Sequence, residues 1–265
     1  MRPITALTIS LLAVLSASAQ TPPKGAAPST APAAAVPSGP HPKSKAENDA
    51  LAAMRQAQDP DSRIKAAQAL LDGFPDTDYK AIALQVEADA YHLKRDDAKA
   101  IVFSEQSLAI DPKSYFTLLL LAEVYSQTTR STDLDRDERI AQIGQYSKEA
   151  IAILEAAAKP DSKMSEADWA ATKKGEEGRA WEAMGLAAIL ANKFDDAKTD
   201  LQKGTDLYPD PIEMLRIGRA YAAAKRYDDA ISWDDKVAAA SGVDDNIKRI
   251  AASDKAHAQA LKKQQ

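Results

Sequence analysis

Four prolines recur at a spacing that few architectures tolerate. Pro75, Pro112, Pro160 and Pro209 are separated by 37, 48 and 49 residues, and each falls between stretches whose apolar residues recur at helical spacing. Proline lacks the N–H that a helix interior needs and fixes φ, so it marks where helices stop. Pro60 and Pro211 punctuate in the same way. A period of this size predicts a row of two-helix units, each burying its apolar face on its neighbours. The composition agrees. The chain holds 54 alanines among 265 residues, against 10 glycines, and alanine is the strongest helix former.

Aligning the segments shows what recurs. Trp181, Met184, Gly185 and Ala188 are followed by Phe194, Ala197, Leu201, Gly204 and Pro209. The next unit runs Met214, Ile217, Gly218 and Tyr221, then Tyr227, Ala230, Asp234 and Val237. An earlier one reads Leu84, Glu87, Ala88 and Tyr91, then Ala100, Ser104, Ser107 and Pro112, and another begins Leu118, Leu121, Ala122 and Tyr125. The spacing W-x2-L-G-x2-Y, then A-x3-F-x2-A with a closing Pro, resembles the tetratricopeptide repeat (TPR) family over about residues 48–242. The resemblance implies an all-α, right-handed solenoid of four to five helical hairpins, about 48–75, 79–112, 115–160, 165–209 and 211–242. A capping helix over 245–263 closes it.

Elementary packing accounts for these residue types. Small residues at Ala88, Ala122, Gly185 and Gly218 let the two helices of a hairpin approach. Ala100, Ala197 and Ala230, twelve positions later, offer the matching small surface, and Tyr91, Tyr125 and Tyr221 fill the gap to the next unit. These positions are structural first. The third unit departs from the pattern, because Ala122 and its counterpart Ala150 are 28 residues apart instead of 12. Thr132-x-x-Asp135 reads as a capping box opening a long second helix. A second extension opens at Ser165-x-x-Asp168, and Gly175 and Gly178 are expected to kink it.

Two zones precede the repeats. Met1 to Ala19 has a positive end, an apolar run and Ala17-Ser18-Ala19, the pattern of a cleaved secretory signal peptide. Residues 20–47 hold seven of the 14 prolines and no aromatic residue, a composition expected to stay unstructured as a linker. A chain that is exported without cysteine suits a bacterial periplasm or exterior.

Catalytic patterns are absent. Zero cysteine excludes a disulfide scaffold, a thiol nucleophile and a cysteine zinc site. His41, His92 and His257 share no ligand spacing. Asp133-x-Asp135-x-Asp137 hints at a calcium loop, but Glu138 stands where Gly is needed and Gly144 where Glu is needed. No phosphate-cradling Gly-rich loop or G-x-S-x-G occurs. Neither a cofactor nor a metal is implied. Net charge is −5 for the chain and −8 once Arg2, Lys24, Lys43, Lys45 and Glu47 are set aside. Such a chain lacks the basic footprint of a nucleic-acid binder and gains nothing from anionic lipid.

The TPR resemblance implies a groove lined by the first helix of each hairpin. Its candidate positions here are Gln85, Asp89 and His92; Phe116, Leu119, Glu123 and Gln127; Arg179, Glu182 and Leu186; and Leu215, Arg216 and Arg219. The set lacks the Lys/Asn pattern of TPR domains that clamp a C-terminal carboxylate. Leu118 to Leu121 is apolar all round its helix, so it is covered either by the inserted helix or by a partner anchored on Phe116 and Leu119. Trp169 and Trp233 are either partly buried or interface aromatics. The expectation is a non-enzymatic exported scaffold docking a protein or peptide in its groove. The alternatives are a constitutive accessory subunit of an envelope assembly and a small-molecule or glycan-binding protein.

Overall fold

The computed structural model describes residues 40–160 and 163–264, so the expected signal peptide and most of the expected linker lie outside the described residues. Among the described residues there are eleven helices and no strand. In chain order they are α1 (Lys45–Gln56), α2 (Pro60–Gly73), α3 (Lys80–Leu93), α4 (Asp97–Ile110), α5 (Tyr115–Thr128) and α6 (Arg136–Ala156). Then come α7 (Glu166–Leu190), α8 (Phe194–Leu207), α9 (Pro211–Ala223), α10 (Tyr227–Ala239) and α11 (Asp245–Lys262).

Helix starts follow local chemistry. The side chains of Ser44, Asp59, Asp96, Ser114, Ser165, Asp210 and Asp244 each accept a hydrogen bond from a backbone N–H of the helix they open. Pro60 and Pro211 sit in first turns, where a missing N–H costs nothing. One expected cap does not form: α6 opens at Asp135 without a side-chain bond, and Asp133 instead accepts from the Arg130 N–H. The Thr132 capping box is therefore replaced by a tight turn.

Three hairpins share one turn. Arg95, Asn192 and Lys225 adopt the left-handed conformation at φ 63°, 59° and 58°. In each case the next residue's N–H returns to a carbonyl five positions back: Asp96 to Tyr91, Lys193 to Ala188, Arg226 to Tyr221. This closes the first helix with its orphan carbonyls satisfied. The first and third hairpins lack this turn.

The packing is local and sequential. Each second helix lies on the first helix of its own hairpin and, α8 excepted, on the helix that follows it. The first helices also touch in succession, α3 with α5, α5 with α7, α7 with α9 and α9 with α11, whereas α2, α4, α6, α8 and α10 make at most marginal contact with one another. The stack therefore curves with its first helices on the inside. The result is a helical-hairpin solenoid with a concave face built from α3, α5, α7 and α9.

The expected kink at Gly175 and Gly178 is absent, since α7 runs unbroken for 25 residues. Gly178 serves contact instead: a Cβ there would lie 2.8 Å from the Tyr208 Cβ and 3.1 Å from the Gly204 carbonyl oxygen. Gly185 and Gly204 are similarly crowded, so α7 and α8 approach almost backbone to backbone.

Candidate functional site

The concave face carries a chain of charged side chains across four hairpins. On α3, Asp89 pairs with Arg63 of α2 at 2.6 Å. One turn further, His92 Nδ1 lies 2.8 Å from Asp97 and its Nε2 3.6 Å from Glu123 on α5. Glu123 is the hub: its oxygens accept from Gln127 Nε2 at 2.9 Å and from Arg179 of α7 at 2.5 Å, with Arg216 of α9 at 4.0 Å. Arg179 also donates to Glu176 at 2.8 Å, and Arg216 donates to Glu213 at 2.5 and 2.6 Å.

First helices touch in succession, so side chains far apart in sequence meet across hairpins. That is why side chains from His92 to Arg216, 124 positions apart, form one network, with the Asp89–Arg63 pair one turn before it on α3. Its members are partly covered, with 23% of the Glu123 side chain and 30% of Arg179 exposed.

The electrostatics divide the carboxyls into two kinds. Burial works against a charged Glu123, but Arg179 and His92 outweigh it and hold its carboxyl well below the usual range. For His92, burial is likewise outweighed by Glu123 and Asp97, and its pKa is raised. Glu182 is the opposite case. It is buried on α7, its Oε1 has no hydrogen-bond partner, and burial together with the charges of Glu213, Asp210 and Glu123 pushes it up to about 8. Burial lifts Glu213 to about 7 despite Arg216. The network's cations are engaged with other carboxylates, and Glu182 is left over.

The structure separates the thirteen sequence-predicted positions. His92, Glu123, Gln127, Arg179 and Arg216 meet in the network, and Asp89 pairs separately with Arg63 of α2. Arg219 stands apart, exposed and paired with Asp254 of α11 at 2.7 Å. Gln85 is buried and accepts from the Ser114 hydroxyl at 3.1 Å. Phe116, Leu119, Leu186 and Leu215 are interior residues, so the expectation that they face a partner is corrected. Leu119 clusters with Leu118, Ala150, Leu154 and Ala180, from α6 and α7 as well as its own helix. The inserted helix covers the apolar run. Trp169 and Trp233 are buried too.

Sequence reasoning missed Glu176 and Glu213, each three residues before a predicted arginine and so on the same helix face. Among the described residues no group of three or more His, Cys, Asp or Glu is placed to hold a metal, and no helix is long and apolar enough to cross a membrane.

Breaking the hub tests whether the network also supports the fold. Arg179→Met strands Glu123 and Glu176 and is expected to cost about 2 kcal/mol, discounted for water reaching the half-buried ends. A denaturation cycle with Glu123→Leu should return a coupling energy of about 1–2 kcal/mol. Strictly additive effects would mean the contact carries no stability.

No family profile matches this sequence, and no curated protein matches it. Among solved structures, a thermophilic TPR protein of Thermus thermophilus is similar, with a TM-score of 0.52 and 16% identity, over 79% of this chain and 95% of that one. The likeness is one of fold: a TPR-type helical-hairpin stack.

Proposed function

We propose that the chain is a non-catalytic scaffold of the cell envelope that docks a protein or peptide partner along its concave face. The observation that carries this reading is the partly exposed charge network running from His92 to Arg216 across four hairpins. Charged side chains on such a surface can be re-paired by an extended partner at little cost, because rim charges set register and specificity more than affinity. The TPR-type stack supplies the curved, continuous surface that a scaffold needs. The envelope assignment rests on the pattern of Met1 to Ala19 and on the absence of cysteine. A constitutive subunit of an envelope assembly is the second reading, favoured by Leu134, fully exposed at the tip of the α5–α6 turn.

The test is capture from an envelope fraction with mild cross-linking. Wild type is run beside Arg216→Glu with Arg219→Glu, after circular dichroism has shown the variant folded. A partner held by wild type and lost by the folded variant is expected. The same partner held equally by both would place docking elsewhere.

A further inference from the structure

A cleft of about 340 Å³ opens between α2, α3 and α4, away from the concave network, with Glu87 among its lining residues. That volume is at the small end of ligand sites. We propose that this cleft binds an organic cation, a primary ammonium or guanidinium group on an aliphatic stem, with Glu87 as its counter-ion.

The repeat register makes Glu87 anomalous. The residue before the small Ala88, Ala122, Gly185 and Gly218 is Glu87 in one unit and Leu121, Met184 and Ile217 in the others. All four are buried, so Glu87 occupies a position that the fold elsewhere fills with an apolar side chain. Only 1% of it is exposed, and its Oε1 has no hydrogen-bond partner. A buried carboxyl without a counter-charge is a standing cost, the kind retained at ligand sites.

The surroundings suit a cation with a carbon stem. Leu84, Leu71 and Phe103 form apolar walls, and the Phe103 ring is held by stacking on Tyr91 at 5.3 Å. Gln68 and Gln106 supply neutral amide oxygens to further N–H donors, and the Gln68 amide lies near enough to the Glu87 carboxyl to favour its charged form. Asp72 adds a second negative charge from α2. With two carboxyls and no third His, Cys, Asp or Glu grouped beside them, the donor set fits a multi-donor organic cation better than a metal ion. Burial, with a smaller push from Asp72, raises Glu87 to about 7 against the nearby Gln68 amide. The other titratable group lining the cleft is Lys80 of α3 at the rim, and α4 contributes Phe103 and Gln106, which do not titrate. A bound cation would draw the proton off Glu87.

The test uses the full chain, with backbone amide NMR shifts read on α2, α3 and α4. The probes are n-butylguanidinium and n-butylammonium, with n-butanol as the neutral control. Saturable shifts confined to these helices are expected for the two cations, at least tenfold tighter than for butanol. Affinity should rise about tenfold from pH 6 to pH 8 as Glu87 ionises. Glu87→Gln should lose that preference. Glu87→Leu, which restores the residue type of the other units, should lose it while melting no lower than wild type. A doubly blocked Ala-Ala-Arg-Ala-Ala peptide separates the sources: tighter binding than butylguanidinium assigns the cation to a partner's side chain, and weaker binding assigns it to a free small amine. Equal shifts with butanol, or a cation preference that survives in folded Glu87→Gln, would overturn the assignment. So would the absence of saturable shifts at these helices. None of these results bears on docking at the concave face.

Discussion

Gly204→Ala is expected to destabilise the fold by about 3 kcal/mol, although alanine is the better helix former by about 1 kcal/mol. The reason is geometric. A Cβ on Gly204 would stand 2.7 Å from Glu182 Cγ, 2.9 Å from the Gly178 carbonyl oxygen and 3.0 Å from the Glu182 nitrogen. Two of those three atoms are backbone and cannot rotate away, so α7 and α8 must separate along their length. Gly144, in the interior of α6, has nothing within 4 Å of the same added atom. Gly144→Ala should therefore stabilise by about 0.5–1 kcal/mol, the bare gain in helix propensity. For a domain of this size the first change should lower the melting temperature by about 6–12 °C. Calorimetry on the two variants decides the matter. A Gly204→Ala protein that melts with or above wild type would mean the two helices are not in contact at this point.

The second large effect is a loss of stability of several kcal/mol on going from pH 5 to pH 8.5. Four buried or half-buried carboxyls are raised furthest: Glu182 to about 8, Glu87 and Glu213 to about 7, and Asp234 to about 6. Burial is the leading cause in each. A raised carboxyl holds its proton longer in the folded chain than in the unfolded one. Between its ordinary value near 4 and its folded value the folded state thus binds more protons, and stability falls as pH rises through that window. His92 acts in the same direction: its raised pKa stabilises the fold below about 6.5 and that contribution is lost as pH climbs through the folded value. Glu123 opposes them only at lower pH, because its depressed value adds stability that disappears under acid. Glu182→Gln should raise the midpoint of urea unfolding at pH 8.5 and barely move it at pH 5. Stability rising steadily from pH 5 to 8.5 would contradict the placement of these carboxyls.

The stack was legible in the sequence because its signals are local. Prolines end helices, small residues mark close approach, and the interval from Ala122 to Ala150 exposed the lengthened third hairpin. What stayed hidden depends on how neighbouring units sit. Phe116 and Leu119 fall on the groove register of α5, yet α6 and α7 close over that helix, and only the all-round apolar run of Leu118 to Leu121 hinted at it. Gly178 reads as a helix breaker in isolation and is a contact residue once α8 is laid against it. Glu87, Glu182 and Asp234 are three acids on repeat helices, and spacing alone does not distinguish a buried carboxyl from a solvated one. For Glu87 a usable signal existed, since the same register is apolar in the three other units.

The central claim, that the concave face is where a partner docks, is tested most directly by carboxyl labelling of the full chain, alone and with the partner captured from the envelope fraction. Docking in the groove predicts protection of Asp89, Glu123 and Glu213, with Asp195 on α8 and Asp228 on α10 labelled as before. Protection confined to Asp195 and Asp228, with the concave carboxyls unchanged, would contradict it.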